Sequence, residues 1–414
     1  MIINCKKGMD VSKHTTNQTY WLLLGLYITQ YLPIAFFTGA LPAIIMMEGG
    51  ELGDLAFIYM LGIIWSLKFF WAPIIDKFSP GSAASGHYRS WLIVLQSSLV
   101  LLILLCAIPS IQIHNIVLAV VTILICFIAS TQDIASDALA VNLLDDNSRG
   151  LGNGIQSAGG LIGQMIGGGV ILMLYPYLGW SLSLLSLAAM VLIPLSLVVR
   201  FKEPSGYRNN QTAQYKYMFK ALKNKAAQHL LVVNALLYTS VMVTFAFLMP
   251  SLIQNGWGLE KIGLATNIIG PIFGILAALF CGYLIRSKGL TTGLVIVVSL
   301  QLMVSICSIN LLSSSEFWRF TICIMQLMSF GVTACFVFTS SMNICDQNNG
   351  GSTYSLLICI ITLTASAVSA VSMNIAQTYG IDNIRYAAIV GTLLAALFSW
   401  LGAKKHLVLT EKTA

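Results

Sequence analysis

Three ionisable side chains, Lys68, Asp133 and Asp137, lie inside long apolar runs of this 414-residue sequence. Each such group costs on the order of 2.5 to 3.5 kcal/mol at the centre of a membrane span, so its presence asks for a purpose. Lys68 stands eight residues before Asp76, about 12 Å along a helix rising 1.5 Å per residue. Asp133 and Asp137 are spaced i, i+4 and share one helix face, with Asp133 at about the depth of Lys68. A lysine and a carboxylate at one depth can do two things. They can form a coupling site, in which Lys68 pairs with Asp133 and is released when a proton or an anionic substrate arrives. They can equally form a static ion pair that locks a bundle, with Asp137 simply reaching the interface.

A second set of residues suits gating. Asp76-Lys77 is followed by Gly86-His87-Tyr88-Arg89, and acid and base in such a loop can hold two bundles together by pairing with helix ends; a solvated loop is the alternative. Gln30, Tyr31, Gln132, Gln156, Gln164, Asn234, Tyr238, Gln326 and Phe330 are candidate substrate-cavity residues. A side-chain amide in hydrocarbon must find a partner or face a cavity, so each amide is as well suited to joining two helices as to touching a ligand. Gly159, Gly163 and Gly167 recur every four residues, a smooth stripe for close helix packing. Pro33, Pro42, Pro250 and Pro271 suggest kinks.

Chemistry beyond binding and proton transfer finds no support. There is no P-loop, G-x-S-x-G, H-E-x-x-H or dinucleotide fingerprint, so the chain reads as no enzyme and as independent of its own ATP hydrolysis. Seven of the nine cysteines sit in apolar stretches without C-x-x-C spacing and the five histidines fall at or outside segment ends, so no metal site and no cofactor is expected.

The elements that must hold these residues are membrane spans. Hydrophobic residues make up 57% and charged residues 9%, against about 25% charged in a soluble domain. Apolar runs long enough to cross about 30 Å of hydrocarbon fall near 20–47, 53–75, 90–110, 114–141, 150–175 and 179–200, then near 228–253, 259–285, 290–313, 316–342, 352–378 and 382–403. The reading is an all-α membrane protein of twelve spans. Residues 1–200 form one six-helix bundle, 201–227 a cytoplasmic linker and 228–414 a second bundle. The run after Lys6 and Lys7 is too long for a signal-peptide core, so the first span is expected to be retained.

Of the 22 basic residues, 18 fall on the side of the termini and the linker, only Lys261, Arg319 and Arg385 on the other, and Lys68 within a span. The net charge of +7 is therefore a topological label with both termini cytoplasmic, and not a nucleic-acid footprint. The halves also echo each other. Leu41-Pro42 matches Met249-Pro250, Ala72 to Lys77 matches Gly282 to Ser287, and Ala129 to Ile134 matches Thr339 to Ile344, all at offsets of 208 or 210. That is the mark of parallel duplication, as in the major facilitator architecture, where one half rocks against the other around a midplane site.

Four stretches carry a family resemblance: Leu67 to Asp76, Gly86 to Trp91, Thr131 to Asp137 and Arg149 to Gln156. In order and spacing they resemble a major facilitator group that holds the AmpG muropeptide permeases, the acetyl-CoA transporters and the inner-membrane siderophore importers of the rhizobactin and pyochelin type. Lys68, Asp76, Asp133 and Asp137 coincide with motif positions of the whole group, which implies coupling or gating and not substrate choice. The forms Gly-His-Tyr-Arg-Ser-Trp and Arg-Gly-Leu-Gly-Asn-Gly-Ile-Gln look most like the siderophore branch. The resemblance implies a monomeric, proton-coupled importer of a ferric siderophore in a bacterial inner membrane. Its expected partners are that small molecule, protons and the lipid bilayer. Muropeptide import, siderophore export and a non-transporting sensor or scaffold are the alternatives. The Gly-Pro signature of the antiporter branch is missing from the fifth span, which weighs against drug/proton antiport.

Overall fold

The computed structural model describes residues 17–47, 61, 64–81, 86–108, 116–204, 219, 222–309, 311, 315–345, 350–379 and 381–404. Most of the predicted linker and the first part of the second predicted span lie outside the described residues. Among those residues nine helices are long and apolar enough to cross a membrane, one of which runs from Arg149 to Arg200. That one is two predicted spans joined at Gly179, whose φ of 63° turns the chain where no side-chain-bearing residue would be comfortable. The shorter apolar helix Tyr386–Leu401 occupies the twelfth predicted span.

The spans are numbered α1 to α12. In the first half α1 is 17–47, α2 is 64–77, α3 is His87–Cys106, α4 is Ile116–Leu143, α5 is 149–178 and α6 is 180–200. In the second, α7 is Lys225–Gln254, α8 is 259–288, α9 is Leu290–Ser308, α10 is Glu316–Met342, α11 is Gly350–Tyr379 and α12 is Ile381–Lys404. Three helices widen into π turns, at Phe36–Ala40, Met165–Val170 and Leu264–Ile269. Pro33 and Pro42 flank the first and Pro271 follows the third, because a missing N–H and a ring against the preceding turn force the helix into a wider register.

Packing repeats between the halves. In the first half α1 packs on α4, α5 and α6, α3 on α4 and α6, and α2 on α4; each of these contacts recurs in the second half when six is added to both numbers. Across the halves α5 packs on α8 and α10, and α11 packs on α2 and α4, which is one relation with the halves exchanged. The third sequence echo does not survive in space. Asp133 lies well inside α4, whereas Asn343 caps the end of α10, so those segments match in letters but not in depth.

The end of the bundle where α2, α4, α8 and α10 finish carries Lys77, Arg149, Arg200, Arg286 and Lys288 and is called the basic end. One core cluster there draws on both halves, with Tyr27, Ile75, Leu139, Cys281, Phe336 and Tyr354 among its members. Toward the opposite end the first half keeps a cluster of its own, around Phe36, Phe37 and Leu187. The second half's cluster there, around Leu252 and Ile322, borrows only Leu161 from α5. The halves are therefore closed on each other at the basic end.

Candidate functional site

Pro73 shapes the site. Lacking an N–H, it cannot bond the Phe69 carbonyl, and α2 tightens there into a 3-10 turn at Lys68–Phe70, with the Trp71 amide on the Lys68 carbonyl at 3.2 Å. The turn sets Lys68 into the protein, 2% exposed, where its ammonium pairs with Oδ2 of Asp133. The Gln30 amide of α1 donates to Oδ1 of Asp133 at 2.5 Å, and the Trp65 ring lies 5.6 Å from the Lys68 nitrogen. Coulomb attraction and charge-assisted hydrogen bonds offset the desolvation of both groups.

Asp137, one turn nearer the basic end, has other partners. The Tyr27 hydroxyl donates to its Oδ1 at 3.3 Å and the Gln156 amide at 3.0 Å. Gln156 in turn accepts from the Tyr354 hydroxyl of α11 at 3.4 Å. All four side chains are buried. Cys359, also on α11, is buried where that helix passes Lys68 and Asp137. A helix of the second half thus lies over an ionisable site built by the first.

The gate is at the basic end. Asp76 accepts from the backbone N–H of Ser352 at 2.8 Å and from its hydroxyl, and from the Tyr88 hydroxyl at 3.0 Å. This sets a carboxylate on the N-terminal turn of α11, where helix amides and dipole favour negative charge. Beside it the Arg149 guanidinium reaches Asn343 at 3.2 Å across the halves. Between α5 and α8 the contact is backbone on backbone, and a Cβ on Gly282 would meet the Gly150 carbonyl oxygen at 2.5 Å. Arg89, the other candidate of the gating loop, makes bonds within the first half. Its guanidinium bonds the carbonyls of Val198 and Val199 at 3.2 and 2.7 Å, pinning α3 to the end of α6 within one half, and its own amide is held by Glu203 at 2.8 Å.

The cavity candidates divide. Gln132 reaches Thr29 at 3.1 Å, Asn234 reaches Ser340 at 2.8 Å, and Gln326 reaches Thr244 at 2.8 Å. These bonds join α4 to α1 and α10 to α7 inside each half, the helix-joining one of the two roles open to such amides. Gln164 is exposed near the π turn of α5, apart from the buried network. Gln30 and Gln156 belong to the ionisable site itself. Tyr31, Tyr238 and Phe330 each lie beside other rings: Tyr31 lies 5.8 Å from Trp65, and Phe330 lies 6.4 Å from Tyr238 and 6.1 Å from Phe245. Tyr31 belongs to the first half and Tyr238 to the second. Among the described residues no group of histidine, cysteine or carboxylate side chains has the makings of a metal site.

Tyr27, Trp65, Tyr88, Ser352 and Tyr354 were not singled out from the sequence. Tyr27 was open to discovery, since with Gln30 and Tyr31 it makes an i, i+3, i+4 polar face on α1. Ser352 and Tyr354 were not, because the short run Gly350-Gly-Ser-Thr-Tyr carries no charge and has meaning only where it meets the other half.

Two helical halves that share a buried ionisable site at their junction define a polytopic membrane carrier. The Major Facilitator Superfamily model matches residues 23–373, and the chain belongs to that family of transporters. It is 25% identical over 362 residues to the anhydromuropeptide permease of Escherichia coli K12, covering 84% of this chain and 68% of that one. It is 22% identical over 389 residues to a putative AmpG 4 transporter of Rickettsia felis, covering 90% and 93%. Among solved structures, the outward conformation of FucP superposes with a TM-score of 0.70 at 12% identity, over 94% of this chain and 99% of that one. An outward-facing bacterial homologue of the iron transporter ferroportin gives 0.67 at 18%, again over 94% and 99%. At these identities the structural likeness speaks for the fold alone.

Proposed function

We propose that this protein is a secondary transporter that carries an amphipathic muropeptide-class solute by proton-coupled alternating access, with the basic end in the cytoplasm. The observation that carries the mechanism is the position of Lys68, Asp133 and Asp137. They belong to one half, yet α11 of the other half covers them, so any opening of the basic end changes the environment of buried charge. Proton binding at the carboxylates then shifts the balance between open and closed forms, and the aromatic side chains of Tyr31, Tyr238 and Phe330 offer flat faces to the sugar rings of a cargo.

The cargo class is supported by the names of the E. coli and Rickettsia relatives. The competing cargo is a ferric siderophore, suggested by the forms of Gly86 to Trp91 and Arg149 to Gln156. Those residues begin α3 and α5 at the basic end, where Tyr88, Arg149 and Gly150 take part in closure. They bear on gating, which leaves the muropeptide as the first reading.

Purified protein in liposomes, with a pH gradient imposed across the membrane, tests both. Labelled anhydromuropeptide is expected to accumulate, and a protonophore is expected to abolish the accumulation. Accumulation of ferric siderophore alone would replace the cargo, and gradient-independent movement of either would remove the proton from the mechanism.

A further inference from the structure

The established contacts leave one connection between gate and ionisable site that the transport reading does not use. Tyr354 of α11 donates to the Gln156 carbonyl oxygen at 3.4 Å, and the Gln156 amide nitrogen donates to Asp137 at 3.0 Å. The two bonds fix each other's sense. An amide has one acceptor face and one donor face, so while its nitrogen serves an anionic Asp137 its oxygen is left for the Tyr354 hydroxyl. Tyr354 sits two residues beyond Ser352, which Asp76 holds, so the same turn of α11 touches both the latch and the relay. Every member is buried.

We propose that Tyr354, Gln156 and Asp137 form a positioning relay that reports closure of the basic end to Asp137 and reports neutralisation of Asp137 back to the gate. When α11 withdraws, Gln156 loses the partner that orients it, and Asp137 loses a fixed donor. In the other direction, a protonated Asp137 donates to the amide oxygen, the amide turns its nitrogen toward α11, and the Tyr354 oxygen can only accept from it, which leaves the hydroxyl proton without its acceptor in a buried site. Linkage makes these two statements one coupling, equal in both directions. The titratable groups that face Asp137 are Tyr27 and Tyr31 from α1, Lys68 from α2, Asp133 from its own helix, and Tyr354 and Cys359 from α11. Of these, Tyr354 is bonded to an uncharged intermediary and belongs to the moving half.

The inference rests on the alternating-access reading, but its test does not require that the cargo be known. Hydrogen–deuterium exchange of residues 72–78 and 350–358 in the purified full-length protein reads closure of the basic end. Asp137→Asn mimics the neutral carboxyl and is expected to raise exchange in both segments about 5- to 10-fold, the worth of one buried hydrogen bond. Tyr354→Phe, which removes only the hydroxyl, is expected to do the same. In the double variant the two effects should not multiply, because both break one chain. Gln156→Leu breaks the chain at its middle and serves where either of the others is poorly folded. Independent, multiplying effects would overturn the relay, as would Tyr354→Phe exchange equal to wild type. Failure of muropeptide uptake with a non-multiplying cycle would reject the cargo and leave the relay standing.

Discussion

Replacing Gly282 by alanine puts a methyl group at the tightest point between the halves. The added Cβ would lie 2.5 Å from the Gly150 carbonyl oxygen and 3.2 Å from the Gly154 Cα, the first about 1 Å inside the optimal separation of non-bonded atoms. Both are backbone atoms with no rotamer to turn aside, so α5 and α8 must part at the basic end. Overpacking of this kind costs typically about 1–3 kcal/mol. The cost falls on the closed form, since the Gly282 neighbours named above all belong to the opposite half. Alanine also favours helix by about 1 kcal/mol over glycine, but α8 is helical in either form and that gain cancels. The closed-to-open ratio should therefore fall roughly 5- to 150-fold. Cys335 is a native reporter, fully buried with its thiol on the Gly150 carbonyl at 3.7 Å, so its rate of maleimide labelling, followed by peptide mass spectrometry, should rise by that factor. Gly150→Ala should act alike, because its Cβ would meet the Gly282 carbonyl at 2.9 Å. Labelling within twofold of wild type in both folded variants would refute the backbone seam as what holds this end closed.

Asp133→Asn leaves Lys68 buried without its anionic partner, a loss of about 3–5 kcal/mol for an uncompensated buried charge; the melting temperature should drop, and adding Lys68→Met should restore it while gradient-driven uptake stays lost. A single variant that melts like wild type would argue that the pair is not closed in solution. Asp76→Asn keeps the shape of the latch but removes its charge from the first turn of α11, so Cys335 labelling should rise about tenfold, in keeping with the ~1.5 kcal/mol of a hydrogen bond to a charged group. Arg89→Ala should lower the melting temperature by loosening α3 from α6 and leave Cys335 labelling unchanged; increased labelling would restore Arg89 to the gate.

The sequence made the span pattern legible because apolar length and basic loops are one-dimensional signals, and it made Lys68, Asp133 and Asp137 legible because charge in hydrocarbon is costly wherever it occurs. The pairing of Lys68 with Asp133 followed from equal depth alone. The amides were harder. Gln30, Gln132, Gln156 and Gln326 look alike in an apolar run, and only the neighbouring helix decides that Gln132 binds Thr29 while Gln30 binds Asp133. Arg89 and Asp76 share one loop signature, yet one fastens a half to itself and the other fastens two halves together. That difference depends on where α6 and α11 end in space, and local pattern does not contain it. The glycine seam was half visible: the stripe Gly159, Gly163, Gly167 packs on α1 within its own half, while Gly150 and Gly154, earlier in the same helix, meet α8 of the other.

The site and the seam act against each other. Closing the basic end removes Lys68, Asp133, Asp137 and Asp76 from water, and even well-paired charges gain little net from burial. Closure must therefore be supplied by interactions that are absent from the open form. Among the described residues these include close backbone approach along Gly150, Gly154, Ala278 and Gly282, the Asp76 carboxylate on the first turn of α11, the Arg149–Asn343 and Tyr354–Gln156 bonds and the apolar cluster shared by both halves. A two-state balance of this kind is useful only while its terms nearly cancel. A shift from 1:99 to 99:1 needs about 5.5 kcal/mol of differential binding, more than one hydrogen bond or one neutralised carboxylate gives, so proton and cargo would have to act together. Strengthening the closed form should then lower transport as surely as weakening it. Filling the seam weakens the closed form, whereas replacing the Lys68–Asp133 pair by apolar side chains removes a desolvation cost from it, so Gly282→Ala combined with Lys68→Met and Asp133→Leu should recover part of the Cys335 protection that Gly282→Ala loses alone.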